Sequence, residues 1–210
     1  MKIISLSSNI AGPACAVSYC IKNYYNNNYL TNFFDYLEVS LLSIIQVLKS
    51  NNIEHDLKEN IEIYVNKDNK NSVSFNNFNR MISHHDLPIN YNEHDYYNFI
   101  NKYERRYYRL IEYIKKEDKI FFIRYGLENY DYIVNFISEV NNINKNVEVF
   151  FINVDFNESK QEVNYNIKNY YYINFYNFFD YNITYHSDLY YKTIQFNWKE
   201  VFNVINKLLV

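Results

Sequence analysis

Glycine and proline are nearly absent, with two of each in 210 residues. That scarcity excludes the glycine-rich phosphate loops of the common nucleotide-binding motifs, and no Gly-x-Ser-x-Gly nucleophile elbow is present. Cysteine is equally scarce. Cys15 and Cys20 stand five apart with no histidine near them, too few ligands for a zinc site, so neither metal nor cofactor is expected. No basic excess exists: the net charge is -3. A nucleic-acid partner is therefore not expected. No apolar run reaches membrane-spanning length, and no membrane association is expected. The opening Met1-Lys2-Ile3-Ile4-Ser5-Leu6 is apolar but too short for a secretory signal. The expected location is the reducing cytoplasm (of a host cell, were the protein viral), where a structural disulfide is not expected. The oligomeric state is not legible.

What the chain does contain is tyrosine, 25 residues of it, within a hydrophobic fraction of 48%. Asparagine and isoleucine are also abundant, as AT-rich coding would produce. Clusters such as Tyr170-Tyr171-Tyr172 are read as generic large apolar residues rather than a base-stacking surface. The rare breakers then become informative. Gly12 and Pro13 lie beside Cys15, where the loop needs special backbone geometry.

Lys2 to Ser7 reads as a short buried strand. Ala14 to Asn23 reads as a helix opening after Pro13. An amphipathic helix is expected from Glu38 to Lys49, strands over Ile61 to Val65 and Val73 to Phe78, and a loop over residues 81 to 95. From Glu93 a long helix shows the stripe Tyr97, Ile100, Tyr103, Tyr107, Leu110, Ile111 and Ile114. Lys119 to Tyr125 reads as a buried strand, Tyr130 to Asn141 as a helix, Val147 to Val154 and Tyr170 to Tyr176 as strands, and Asn197 to Leu208 as a closing helix. Continuous apolar strands alternating with helices predict a mostly parallel sheet with helices on both faces, in a single α/β domain over residues 1–210. Ligand sites in such sheets lie beyond the carboxyl ends of the strands, where the Ser7–Cys15 loop emerges.

Cys15 is the leading chemical candidate. A helix start offers unpaired N–H groups and the positive end of the dipole, which favour a thiolate and can hold an oxyanion. Cys20 reads as a packing residue. A cysteine nucleophile needs a base. His84-His85-Asp86, His94-Asp95, His55-Asp56 and His186-Ser187-Asp188 supply candidates. Asp35, between Phe33-Phe34 and an amphipathic helix, is either a helix cap or a carboxylate that orients a histidine or binds substrate. Arg124, inside an apolar strand, should meet a carboxylate or point into a site. Glu104, Arg105, Arg106 and Arg109 read as the solvated face of the long helix.

The ordered features resemble a family of papain-like cysteine peptidases found in bacteria and large DNA viruses. They are Ile4-Ser5-Leu6-Ser7-Ser8-Asn9, Cys15, Phe34-Asp35-Tyr36, His85-Asp86, Tyr103-Glu104-Arg105-Arg106 and Phe121-Phe122-Ile123-Arg124-Tyr125. The family places its cysteine directly after the Ser-Asn turn, where Ile10 stands here. The spacing to Asp35 maps the nucleophile to Cys15, with Ala11-Gly12-Pro13-Ala14 as inserted loop. Were Ile10 the true equivalent, the nucleophile would be lost. Tyr36 replaces the family's tryptophan.

The resemblance implies a papain-like α+β fold as the alternative architecture. It implies a cysteine-dependent hydrolase or acyl transferase acting on a peptide or small acyl substrate. Cys15, His85 and Asp35 would be catalytic, and Asn9, Asp86 and Arg124 would bind substrate. The competing expectations are a non-catalytic binding module on the same scaffold and a glycan- or nucleotide-sugar-modifying α/β enzyme.

Overall fold

The computed structural model describes residues 1–9, 13–24, 29–66, 69–79, 81–155, 163, 165–174, 198–199 and 201–208. Two four-stranded sheets organise them. The first contains β1 (Lys2–Ser5), β6 (Lys119–Tyr125), β7 (Glu148–Asp155) and β8 (Tyr170–Asn174), in the order β1-β6-β7-β8. All three pairings are parallel. A parallel sheet must be covered on both faces, which explains the near-continuous apolar runs of its strands. Ile4, Phe122 and Phe151 face α5 (Tyr130–Ile143), whose Phe136 sits edge-on to both phenylalanine rings. Ile3, Phe121, Ile123, Phe150 and Ile152 join the opposite core with Val17, Cys20 and Ile21 of α1 (Pro13–Tyr24) and with Trp198, Val201, Phe202 and Ile205.

The second sheet is antiparallel, and the expected predominance of parallel strands is corrected by it. Its order is β2-β5-β4-β3, from β2 (Leu37–Glu38), β3 (Ile61–Val65), β4 (Asn71–Phe75) and β5 (Met81–Leu87). β5 replaces residues 81–87 of the loop expected over 81–95. Its polar Ser-His-His-Asp centre lacks the apolar continuity that marks a strand, and pairing with β4 holds it extended. The helix expected from Glu38 begins instead at Leu41, because Ser40 caps α2 (Leu41–Lys49) by accepting from the Ser43 N–H. An Asn92/Asp95 capping box starts α4 (Glu93–Lys116) as expected. Tyr97 falls outside the buried stripe of α4, which runs Phe99, Ile100, Tyr103, Tyr107, Leu110 and Ile114. Phe75 of β4 stacks on Phe99 and meets Tyr103 edge-on, fastening the second sheet to α4.

One apolar core runs through both sheets, from Ile4 and Phe122 to Val73 and Phe75. The sheets also touch through backbone. Ser8 bridges Glu38, the Val39 N–H donates to the Ser8 carbonyl at 2.8 Å, and Ser7 Oγ donates to the Leu37 carbonyl at 2.6 Å. Arg124 closes this seam. Its Nη1 donates to the Leu6 carbonyl at 2.7 Å and its Nη2 to the Val39 carbonyl at 2.9 Å, while Nε binds Glu128. No described helix is long and apolar enough to cross a membrane.

Candidate active site

The carboxyl end of β1, the start of α1 and the bulged middle of β5 meet at the seam. Cys15 is the third residue of α1, in the first turn, where backbone N–H groups have no helical acceptor. Three residues on, and so on the same face, Ser18 donates to Asp35 at 2.6 Å and lies 3.0 Å from Ser5 Oγ.

Asp35 is fully buried in the turn over residues 33–36. Its carboxylate accepts from Ser18 Oγ, from Tyr29 Oη at 3.1 Å, and from the Asn32 N–H and Nδ2 at 2.6 and 3.0 Å. Burial pushes its carboxyl up to about 6, although these donors and Arg106 favour the ion. Asp35 therefore ties the loop before β2 to α1, while Ser40 caps the next helix.

Tyr36 follows in the left-handed region, at φ 65°. Such a conformation costs an aromatic residue about 1–2 kcal/mol. The turn leaves Tyr36 half-buried within electrostatic reach of Asp35, Cys15, Arg106 and Asp86. Burial first, then the neighbouring Asp35 and Cys15, lift its phenol to about 12.

The third contribution comes from β5. Val73 pairs with Ser83 and Asn71 with Leu87, so β5 spends four residues where β4 uses two. An unbroken strand would send side chains three apart to opposite faces. The bulge instead turns Ser83 and Asp86 toward one partner: the Tyr103 hydroxyl donates to Asp86 and reaches Ser83 Oγ at 3.1 Å. Lys102 pairs with Asp86 at 2.6 Å. Burial opposes the charge on Asp86, but Lys102, Tyr103 and Ser83 hold its carboxyl below the usual range. Lys102 is itself drawn below its ordinary value, chiefly by burial.

Cys15 experiences this surrounding as a raised pKa. Burial, with the Asp86 charge added, pushes its thiol up to about 11. The lowering expected from the helix start is overturned by desolvation, which penalises a thiolate more than one helical turn rewards it. Among the described residues no cluster of three His, Cys, Asp or Glu side chains suits a metal ion.

A family model described as putative papain-like cysteine peptidase matches residues 11–157. The chain belongs to that family. No curated protein and no solved structure matches it. The family description supports a cysteine-dependent hydrolase, and the mixed parallel and antiparallel sheets fit an α+β member of it.

Within this peptidase-family member the sequence candidates separate. Cys15, Asp35 and Asp86 gather around Tyr36. His85 occupies the bulge between His84 and Asp86, and its side chain lies outside the described residues. His84 is directed elsewhere: Nε2 meets Glu38 at 2.9 Å and Nδ1 meets Ser72 Oγ at 3.1 Å. His94 is exposed at the start of α4. Asn9 is exposed, with Oδ1 beside Gly126, whose φ of 91° calls for glycine. Arg124 has met a carboxylate, and its three donor nitrogens hold protein acceptors rather than facing an opening. Gly12 and His186 lie outside the described residues.

Sequence reasoning missed Ser18, Tyr29, Asn32, Lys102 and Arg106. The first three are ordinary polar residues with no spacing signal. Arg106 was legible only as a charge on the outer face of a helix, yet both it and Lys102 are half-buried.

Proposed function

We propose that this protein is a cysteine-dependent acyl hydrolase acting on peptide or small acyl substrates, with Cys15 as nucleophile and His85 as general base. The observation that supports it is the meeting of the Cys15 helix start with Asp86, the chain neighbour of His85, across the seam between the sheets. Because the thiol is held protonated, the reaction starts from Cys–SH rather than a resident thiolate. His85 takes the Sγ proton as the sulfur–carbon bond forms, and the carbonyl electron pair moves onto oxygen, facing the free N–H groups of the first turn of α1. The proton then passes to the leaving amine or alcohol, and water, activated by the same imidazole, cleaves the thioester. An amine acceptor in place of water would make the enzyme an acyl transferase.

Asp35 acts through Ser18, holding the face of α1 that carries Cys15. Asp86, fixed by Lys102 and Tyr103, holds the bulge of β5 in which His85 lies. A second reading, a binding module without catalysis, is favoured by the raised thiol pKa alone.

The pH dependence of iodoacetamide alkylation at Cys15, with Cys20→Ser as background, separates the two. Proton transfer to His85 predicts alkylation that proceeds well below pH 11 and is lost in His85→Ala. A rate that climbs only toward pH 11 and ignores His85 leaves the binding module.

A further inference from the structure

Among the described residues, Arg106 faces the Asp35 charge but leaves a buried guanidinium nitrogen without an acceptor. It sits on α4 one turn beyond Lys102 and Tyr103, so the three share a face of the helix. Its guanidinium carbon stacks 5.4 Å from the centroid of the Tyr103 ring. Nη1 is buried and has no hydrogen-bond partner among the described residues. The potential acceptors nearby are taken. Asp86 is held by Lys102, Tyr103 and Ser83, and Asp35 by Ser18, Tyr29 and Asn32. An arginine stays charged at any physiological pH, and a buried N–H without an acceptor is costly. Such a donor is satisfied when a ligand brings the acceptor.

We propose that Arg106 is the specificity residue of the Cys15 site and binds a carboxylate of the substrate beside the reacting carbonyl. This assignment rests on the hydrolase reading above for its catalytic meaning, but the binding it describes does not require Cys15 to react. A carboxylate fits better than a dianion such as phosphate. The guanidinium fork matches a planar carboxylate with two parallel hydrogen bonds. Asp35 and Asp86 would repel the second charge of a phosphate. The carboxylate could be the free main-chain terminus of a peptide or an acidic side chain.

Two small ligands tell these sources apart: N-acetylglycine carries the main-chain carboxylate, and N-acetylglutamate α-amide carries the side-chain one. Each is titrated against the Cys15→Ser protein by calorimetry, with N-acetylglycinamide as the neutral control. Binding of one carboxylate, at least about tenfold tighter than the control and lost in Arg106→Gln, supports the assignment and names the source. Equal binding of all three compounds, no binding of any, or carboxylate binding that survives in Arg106→Gln overturns it.

Alkylation gives an independent arm should Arg106→Gln fold poorly. In the wild type, iodoacetate should gain on iodoacetamide at Cys15 relative to a free-thiol reference. That advantage should shrink in Arg106→Lys, which keeps the charge but loses the fork. An unchanged ratio in Arg106→Lys counts against the proposal. A Cys15 inert to both reagents, with carboxylate binding intact, refutes the hydrolase reading and leaves the Arg106 site standing.

Discussion

The two sheets solve the problem of burial differently. The parallel sheet is covered on both faces, so its strands Ile120–Ile123 and Val149–Ile152 are apolar at nearly every position and carry little chemistry of their own. The antiparallel sheet tolerates polar residues, and β5 places Ser83, His84, His85 and Asp86 in succession within a bulge. The difference shows a division of labour. A sheet buried on both sides gives a rigid platform and the helix that carries Cys15. A sheet with polar positions and a locally irregular register can re-aim side chains, and it brings the partners. The candidate site lies where the first kind of order meets the second.

The most severe way to break that meeting is to cut the seam at Arg124. Arg124→Met should remove the clamp on the Leu6 and Val39 carbonyls and strand Glu128 with its charge nearly buried. Breaking a buried ion pair from one side costs about 3–5 kcal/mol, read as a lower urea midpoint. A loss below about 1 kcal/mol would mean that the apolar core alone joins the sheets.

A somewhat smaller effect should come from pH, through the platform side of the site. Asp35 ionises at about 6 in the folded protein and near 3.8 ordinarily. Between these values the folded state holds the extra proton, so stability falls as pH rises, by about 3 kcal/mol in all. Below the window this contribution is fully present, and above it fully lost. Urea melts from pH 4 to pH 7 should show that slope, and Asp35→Asn should flatten it. Asp86, whose pKa is lowered, works in the opposite sense: its contribution disappears only as pH falls below the ordinary carboxylate range.

The smallest change tests the bulge side. Tyr103→Phe keeps the ring against Phe75 and Phe99 and removes only the hydroxyl held by Asp86 and Ser83. The expected cost is about 1–2 kcal/mol, with Cys15 alkylation altered as Asp86 loosens. A variant with unchanged alkylation would show that the bulge keeps its shape without α4.

Much of the platform was legible because periodicity is a local signal. Lys119–Tyr125, Glu148–Asp155 and α4 emerged within a few residues of their expected ends. Cys15 stood out as a candidate because Gly12 and Pro13 are rare in this composition and stand beside it. β5 was not, since a polar tetrapeptide is a strand only when β4 lies alongside. The two extra residues of its bulge have no signature in one sequence. Arg106 was misplaced because helical spacing says which residues share a face but not what that face meets.

The sequence by itself determined the elements of the parallel sheet, the helix that carries Cys15 in its first turn and the family pattern, because each depends on residues near one another in the chain. Only the tertiary structure decided that half the described strands are antiparallel, that Arg124 clamps a seam, that Asp35 reaches Ser18, and that burial raises rather than lowers the Cys15 thiol. Those outcomes depend on which groups lose water and which distant partners replace it, and that is settled when the two sheets come together.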